Sequence, residues 1–229
     1  MENILKGKKV ALIDMDGVLY DSMKYHTIAW ERLMTELGVT CTREEFYLYE
    51  GMTGPATIQM LFKRELGQEC AQSRTLELYE IKTKYFREVG TNDRMPGADR
   101  MLAALRSANL RLILVTGSSQ ASLLDNINRD YNDAFLPGDR ITALDVKNGK
   151  PDPEPYLKGL EKAGVKPEEA IVIENAPLGV RSGKGAGIFT VAVTTGPIPA
   201  SEFEKEGADC VFPSMPEFAD YLESICNLR

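Results

Sequence analysis

The chain has 229 residues, of which 43% are hydrophobic and 27% are charged, the proportions of an ordinary globular protein. This length favours one domain with an insertion over two large domains. A net charge of −7 without a basic stripe argues against binding to nucleic acid. No apolar run is long enough to cross a membrane. The acidic net charge favours a small molecule as the substrate. We also expect the chain to be a monomer.

The residues suited to acid/base and metal chemistry are mostly carboxylates. His26 is the only histidine, which excludes a metal site built from several imidazoles. The four cysteines are scattered without a CxxC pair, so no disulfide framework or zinc knuckle is indicated. The N-terminus carries lysines but no signal-peptide pattern, which predicts a cytoplasmic location.

The first predicted element is a short apolar strand at residues 10–14, typical of a buried parallel strand. The next segment, residues 21–92, shows helical periodicity and no comparable strand. We predict four helices in it, at residues 25–37, 43–50, 55–66 and 73–89. Residues 91–97 contain Pro96 and Gly97 and predict a return hinge.

Strands and helices alternate over the rest of the chain. Strands are predicted at residues 111–116, 170–173, 189–193 and 209–212, and helices at 98–108, 120–130, 155–163 and 178–186. This alternation predicts an α/β fold, a doubly wound parallel sheet with helices on both faces. The predicted core comprises residues 1–20 and 93–229, with an all-helical insertion at 21–92.

Two carboxylates, Asp14 and Asp16, end the first strand before Gly17. Open α/β sheets bind their ligands at the carboxyl ends of their strands. At that position Asp14 can attack phosphorus and become an aspartyl phosphate. Asp16 can protonate the leaving oxygen and later activate water. A strand that simply ends in solvated acids is the alternative, and the pair alone does not decide.

Candidate phosphate-binding residues stand after the second predicted strand and in a later turn of the core. Thr116, Gly117 and Ser118 follow the second strand and offer hydroxyl and backbone N–H groups to an anion. Lys150 stands in a proline-flanked turn that can hold its ammonium over a phosphate. A plain helix N-cap and a solvated lysine are the respective alternatives.

Glu174 and Asn175 end the most hydrophobic strand and supply oxygen atoms suited to a hard cation. Together with Asp14 and the carbonyl of Asp16 they predict a Mg²⁺ site. Asn175 can instead be only a helix N-cap. Each feature is weak alone, but all lie at successive strand ends, which favours one phosphoryl-transfer site with Asp14, Asp16, Thr116 and Lys150 as its catalytic set.

These motifs, in this order, resemble the haloacid dehalogenase superfamily of phosphotransferases over essentially the whole chain. The resemblance implies that the helical insertion is a cap that closes over the site. Residues 14–22, 25–26 and 29–30 are similar to the β-phosphoglucomutase-like branch of that superfamily. In that branch the residue equivalent to His26 lies near the hinge and supports the acid/base aspartate. A packed or surface histidine is the alternative.

Two departures from the family pattern bear on the substrate. The fourth motif usually ends in an aspartate, whereas this chain has Asn175. In the cap loop, the mutases have a lysine and an arginine where this chain has Glu50 and Gly54. A carboxylate repels the far phosphate of a sugar bisphosphate and a glycine cannot hold it, so a mutase reaction is disfavoured.

We therefore hypothesise that Glu50 enters the site and approaches the metal, replacing the charge missing at Asn175. The branch contains an inorganic pyrophosphatase whose cap loop and residues 174–180 this sequence closely resembles. Pyrophosphate, or a small phosphate ester, is the predicted substrate. A solvated Glu50 is the alternative. The rival functions are a β-phosphoglucomutase, which interconverts β-glucose 1-phosphate and glucose 6-phosphate, and a non-catalytic sensor of phosphorylated metabolites.

Overall fold

A six-stranded parallel sheet forms the centre of the computed structural model, which describes residues 3–91, 93–118, 121–131, 133–136 and 138–226, residues 121–124 by their backbone alone. The spatial order of its strands is β3-β2-β1-β4-β5-β6. In chain order they are β1 (Val10–Ile13), β2 (Arg111–Val115), β3 (Arg140–Ile141), β4 (Ala170–Glu174), β5 (Phe189–Val193) and β6 (Cys210–Phe212). The predicted doubly wound parallel sheet is confirmed.

Strand β1 lies in the middle of the sheet and is buried along its whole length. Successive side chains of a strand point to opposite faces. Accordingly, Ala11 and Ile13 pack into one hydrophobic cluster, and Val10 and Leu12 pack into another on the opposite face. Helices cover both faces, which explains why the strand sequence is continuously apolar rather than alternating.

Six helices flank the sheet within the described residues. Three of them, α5 (Ala98–Ser107), α6 (Ala121–Asp130) and α10 (Met215–Cys226), pack on the face of Ala11, while α7 (Glu154–Ala163), α8 (Pro177–Gly185) and α9 (Ala200–Lys205) pack on the other. The sequence patterns did not predict β3, α9, α10 or a 3₁₀ turn at Pro167–Glu169. The predicted start of α6 at Gln120 falls outside the described residues.

The insertion consists of four helices, α1 (Met23–Glu36), α2 (Arg43–Leu48), α3 (Gly54–Leu66) and α4 (Gln72–Val89). Its apolar side chains form a separate hydrophobic cluster that includes Trp30, Phe46, Leu61 and Leu78. Trp30, Leu33 and other helically spaced residues thus serve as the core of the insertion. Residues 21–91 are hereafter called the cap. Asn92, the predicted end of this unit, falls outside the described residues.

The two connections between cap and sheet run side by side. Tyr20 and Arg94 form an antiparallel bridge. The backbone N–H of Asp21 donates to the carbonyl of Asp93 at 2.9 Å, and that of Met95 donates to Leu19 at 2.8 Å. These hydrogen bonds hold the two crossings as one short ribbon beside the carboxyl end of β1.

Within the described residues, no helix combines the length and the apolar character that crossing a membrane requires.

Candidate active site

Strand register brings the predicted motifs to one edge of the sheet. Ile13, the last residue of β1, pairs with Leu114 of β2 on one side and Ile173 of β4 on the other. The backbone N–H of Asp14 donates to the carbonyl of Ile173 at 3.1 Å. Residues just beyond these strands therefore meet, because parallel strands share their carboxyl edge.

Lys150 is buried at this edge and joins two of the predicted carboxylates. Its Nζ lies 2.5 Å from Oδ1 of Asp14 and 2.6 Å from Oε1 of Glu174, and it also donates to the carbonyl of Val115 at 3.1 Å. Although burial acts to lower it, the pKa of Lys150 is raised by Asp14 and Glu174. The ammonium is therefore charged and held beside Asp14.

Asp14 is buried as well, and burial raises its pKa to about 8 against the opposing effect of Lys150. The nearby carboxylate of Glu174 contributes to this upward shift of the pKa. A second positive charge at the site would favour the ionised form of Asp14, which a nucleophile requires. Asp14 is thus a potential nucleophile whose ionised form a nearby cation would stabilise.

Glu174 directs both carboxylate oxygens into the protein. Oε1 accepts from Lys150 and, at 2.6 Å, from the hydroxyl of Tyr156. Oε2 accepts from the backbone N–H groups of Asn175 at 3.1 Å and Ala176 at 3.3 Å. Glu174 is fully buried and does not line the cavity beside Asp14. These contacts favour a role in positioning Lys150 over the predicted role as metal ligand.

Asp16 is held by two residues at the start of the cap. The hydroxyl of Ser22 donates to its Oδ1 at 2.5 Å, and Nε2 of His26 lies 3.2 Å from the same oxygen. Burial acts to raise the pKa of Asp16, but His26 and the hydrogen bonds from His26 and Ser22 hold it below its usual value. His26 thus contacts the predicted acid/base group.

Lys82 of α4 is a buried residue of this site that the sequence reading missed. Its Nζ lies 2.5 Å from Nδ1 of His26 and over the ring of Trp30 at 5.1 Å. Burial lowers its pKa to about 7, and burial together with Lys82 lowers the pKa of His26. A neutral imidazole that accepts at Nδ1 carries its proton on Nε2 and donates it to Asp16. Helical spacing within α4 gave no sign of this role.

The predicted phosphate loop follows β2. The side-chain oxygen of Thr116 accepts from the backbone N–H of Ser118 at 3.0 Å, and both residues are buried beside Asp14. Gly117 faces the cap, because a Cβ at this position would lie 2.7 Å from the carbonyl oxygen of Gly51. The absence of a side chain at Gly117 therefore permits the cap loop to rest against the phosphate loop.

Glu50 reaches from the cap to the carboxyl end of β4. Its Oε1 accepts a hydrogen bond of 2.9 Å from Nδ2 of Asn175, and both residues are buried. Burial and the charge of Asp14 raise the pKa of Glu50 well above its usual value. Asn175 precedes Ala176, the N-cap of α8, so it does not itself cap that helix. The solvated Glu50 considered as an alternative is wrong, because its side chain is enclosed.

The oxygen atoms at this point fit a hard cation. Oδ1 of Asn175 is buried and accepts no hydrogen bond from the described residues. Across the described chain, no group of three His, Cys, Asp or Glu side chains is arranged to hold a metal. The set that fits Mg²⁺ is instead mixed, a carboxylate with main-chain and amide oxygens, completed by ligands from substrate and water.

A cavity of about 70 Å³ lies between the core and the cap. The core contributes Asp14, Asp16, Thr116, Gly117 and Ser118, and the cap contributes apolar side chains together with His26, Glu50 and Lys82. The structure therefore brings the two aspartates, the phosphate loop, His26 and Glu50 around one space. Lys150, Glu174 and Asn175 lie immediately behind it.

A doubly wound sheet whose strand ends carry two aspartates, a buried lysine and a threonine beneath a helical insertion defines a phosphoryl-transfer hydrolase. The chain belongs to the haloacid dehalogenase-like hydrolase family, whose model matches residues 11–193. The predicted family and enzyme class are confirmed.

Relatives in this family carry several phosphotransferase names. A "Phosphorylated carbohydrates phosphatase" of Thermotoga maritima is 30% identical over 79% of this chain and 82% of its own length. A "Putative pyrophosphatase PpaX" of Clostridium perfringens is 26% identical over 95% of this chain and 98% of its own. A solved structure, "Putative beta-phosphoglucomutase from Bacteroides vulgatus", is 44% identical, with a TM-score of 0.91 over 96% of this chain and 89% of its own.

Proposed function

We propose that the chain is a Mg²⁺-dependent phosphohydrolase that works through an aspartyl phosphate on Asp14 and that its substrate is inorganic pyrophosphate. The observation that carries this substrate assignment is the hydrogen bond between Glu50 and Asn175. This contact supports a role for Glu50 near the predicted metal position, because it brings a cap carboxylate to Asn175. The sugar-phosphate mutases that the sequence resembles have a lysine at the place of Glu50.

In the first half of the reaction, a carboxylate oxygen of Asp14 forms a bond to phosphorus while the bond from phosphorus to the leaving oxygen breaks. Asp16 enters the cycle after taking up a proton, against the lowered pKa that His26 and Ser22 give it, and passes that proton to the leaving oxygen. In the second half, Asp16 takes a proton from water, the water oxygen attacks phosphorus, and the bond to Asp14 breaks. Phosphate leaves, and both aspartates return to their starting states.

The surrounding residues prepare the reacting groups. Lys150, fixed by Glu174 and Val115, holds Asp14 and offers positive charge to the transferring phosphoryl oxygens. Thr116 and Ser118 line the same cavity, and their hydroxyl groups are the donors proposed for the phosphoryl oxygens. Lys82 and His26 fix the carboxylate of Asp16. The cap excludes water during the first half-reaction.

Mg²⁺, when bound, supplies positive charge that neutralises the phosphoryl group. Asp14, the carbonyl of Asp16 and the amide oxygen of Asn175 would hold it, and Glu50 would approach the ion or its water. This placement makes up for the negative charge that Asn175 lacks compared with the aspartate usual in the family. It also agrees with the buried, unpaired Oδ1 of Asn175.

Charge and space favour a compact substrate. Lys82 is the only lysine or arginine that the cap contributes to the cavity lining among the described residues, and it is engaged with His26. No cap guanidinium is thus available to hold the far phosphate of a sugar bisphosphate. Pyrophosphate with Mg²⁺ brings its own compensating charge. A cavity of about 70 Å³ also suits a small leaving group better than a hexose.

A β-phosphoglucomutase is the second candidate, favoured by the 44% identity to the Bacteroides vulgatus protein of that name. A panel of pyrophosphate, small phosphate esters, hexose phosphates and β-glucose 1-phosphate with Mg²⁺ separates the two. We expect phosphate release to be fastest from pyrophosphate. Faster formation of glucose 6-phosphate would establish the mutase, and no turnover of any member would favour a sensor.

The role of Glu50 is tested by Glu50→Gln and Glu50→Ala. Loss of a group near a metal typically costs about 10- to 100-fold in affinity or activity, so we expect a loss of that size in kcat/KM for pyrophosphate. We also expect half-maximal activity to require a higher concentration of Mg²⁺. Glu44→Gln, on the exposed side of α2, is the matched control. Wild-type kinetics in Glu50→Ala would refute the assignment.

A further inference from the structure

The segment after β5 contacts the turn that carries Asp16. The hydroxyl of Thr195 donates to the carbonyl of Gly17 at 2.6 Å, across 178 positions of sequence. The neighbouring Thr194 is tied to β6, because its N–H donates to Phe212 at 2.9 Å and its hydroxyl to Pro213 at 2.9 Å. Thr195 therefore projects from an anchored loop onto the residue that follows Asp16.

The turn at Gly17 is tight, and its conformation bears on two parts of the site. Gly17 has a φ of 77°, in the left-handed region, and its N–H donates to Tyr20 at 2.7 Å. A Cβ at this position would collide with the amide of Asn175. The turn thus fits between Asn175 and Thr195, so that a shift of Gly17 displaces Asp16.

The same segment lies close to the cap. A Cβ at Gly196 would lie 3.4 Å from Cδ1 of Tyr47, which belongs to α2. Tyr47 also packs against a hydrophobic cluster of the core made up of Val180, Ala192, Ile198 and Phe203. Tyr47 lies on the short cap helix that leads to Glu50, and it therefore packs on the core close to Thr195.

We propose that the pair Thr195–Gly196 is a fifth strand-end element of the site: Thr195 is a positioning residue for Asp16, and Gly196 receives Tyr47 when the cap closes. One loop then links the position of the cap to the position of the acid/base aspartate. This inference rests on the proposed phosphohydrolase function, since Asp16 is its acid/base group. The closeness of Gly196 to Tyr47 and the hydrogen bond from Thr195 to Gly17 are both present in the structure.

The first test compares Thr195→Val, which keeps the shape and loses the hydroxyl, with Thr195→Ser, which keeps the hydroxyl. On the best substrate of the panel we expect Thr195→Val to lower kcat about 10-fold, with KM and the melting temperature nearly unchanged, and Thr195→Ser to restore most of the loss. Thr194→Val removes the adjacent hydroxyl, which faces β6, and serves as the control.

Two results would overturn the proposal: a kcat of Thr195→Val equal to that of wild type, or an equal loss in Thr194→Val, which would reflect loop integrity alone. Thr195→Ala replaces Thr195→Val in the comparison if the latter does not fold. A panel without any turnover by wild type refutes the proposed function instead, and a second readout then still tests Thr195.

That readout is the imidazole of His26, the single histidine, whose Nε2 faces Asp16 at 3.2 Å. We expect its nitrogen and ring-proton NMR signals to shift in Thr195→Val and to stay in place in Thr194→Val. Unmoved signals in Thr195→Val would refute the positioning role regardless of activity.

The link to the cap is tested by Tyr47→Ala and by the double variant Tyr47→Ala/Thr195→Val. We expect the loss in kcat/KM of the double variant to be at least threefold smaller than the product of the two single losses. Each single variant already breaks the coupling between the two residues, so the second substitution cannot break it again. Losses that simply multiply would show that the two residues act independently and would overturn the coupling.

Discussion

At the scale of single residues, the proposed chemistry depends on a carboxylate that is both buried and close to a lysine. Oδ1 of Asp14 is 2.5 Å from Nζ of Lys150, so the carboxylate is oriented at the carboxyl end of β1 before substrate arrives. A carboxamide has the same shape but is not a nucleophile. The Asp14 position therefore allows a substitution that removes the reaction while changing little else.

We predict that Asp14→Asn lowers kcat about 10³-fold or more, a loss typical of removing a nucleophile. Wild type quenched with acid during turnover of ³²P-labelled substrate should carry protein-bound label, and Asp14→Asn should carry none. Asp220→Asn, at an exposed carboxylate, is the control and should behave as wild type. Full turnover by Asp14→Asn would exclude the covalent route.

Lys82 offers a residue-scale prediction in which activity and stability change independently. We predict that Lys82→Met lowers kcat about 10- to 100-fold, because His26 loses the donor that fixes its tautomer against Asp16. The melting temperature should stay the same or rise, since an apolar side chain replaces a buried charge.

Steady-state kinetics and thermal unfolding check the Lys82 prediction. Lys84→Met, on the exposed side of the same helix, is the matched control. An unaltered kcat in Lys82→Met would contradict a role for the contacts from Lys82 to His26 and from His26 to Asp16.

The residues at strand ends were predictable from the sequence, because the carboxyl ends of parallel strands share one edge of the sheet whatever the conformation of the connecting loops. Sequence reasoning did not find Lys82, which lies 56 positions from His26 and meets it only through the packing of α1 on α4. The placement of Glu174 also differs from the metal-ligand prediction, because a carboxylate beside a buried lysine and a tyrosine is drawn inward. Such contacts depend on tertiary structure and leave no local spacing signal.

At the scale of elements, the cap loop and two core loops meet through glycines. Gly117 faces the carbonyl of Gly51, and Gly149 faces the side chain of Thr53, where a Cβ would lie 2.6 Å from Cγ2. A backbone carbonyl cannot move aside as a threonine methyl can. Closure of the cap is therefore expected to be most sensitive to substitution at Gly117.

We predict that Gly117→Ala lowers kcat/KM about 10- to 100-fold by holding the cap away from the core. Gly149→Ala should have a smaller effect. Gly138→Ala, where nothing lies within 4 Å, is the control and should be silent. The melting temperatures of all three should remain close to that of wild type; equal activity of the Gly117 and Gly138 variants would contradict this account.

The long, strongly periodic elements were predictable from the chain alone, and the short ones were not. Strand β3 has two residues, too few to show a period, and it owes its strand pairing to β2. Helix α10 was missed, although Phe218, Leu222 and Ile225 have helical spacing that could have identified it. The parallel sheet with helices on both faces follows from the alternation of elements, whereas the order of its strands and the packing of α2 on the core do not.

At the scale of the whole molecule, metal binding should couple to folding. The oxygen atoms proposed to hold Mg²⁺ are brought together only by folding, so we expect the ion to bind the folded chain in preference to the unfolded one. At 100 times its dissociation constant a ligand stabilises by about 2.7 kcal/mol. For a protein of this size each kcal/mol shifts the melting temperature by about 2–4 °C.

We therefore predict that saturating Mg²⁺ raises the melting temperature by about 5–10 °C over the protein in EDTA. Asn175→Ala should shrink this shift because it removes the unpaired amide oxygen. The exposed Asn148→Ala is the matched control. A melting temperature that does not respond to Mg²⁺ in wild type would contradict the metal site.

The one tryptophan of the chain, Trp30, forms part of the cap wall of the cavity, with Phe46 stacked at 5.8 Å and the ammonium of Lys82 over its ring. All indole fluorescence of the protein therefore originates in the wall of the cavity between cap and core. An unlabelled sample thus carries an optical reporter where cap meets substrate, and stopped-flow mixing can time cap movement separately from phosphate release.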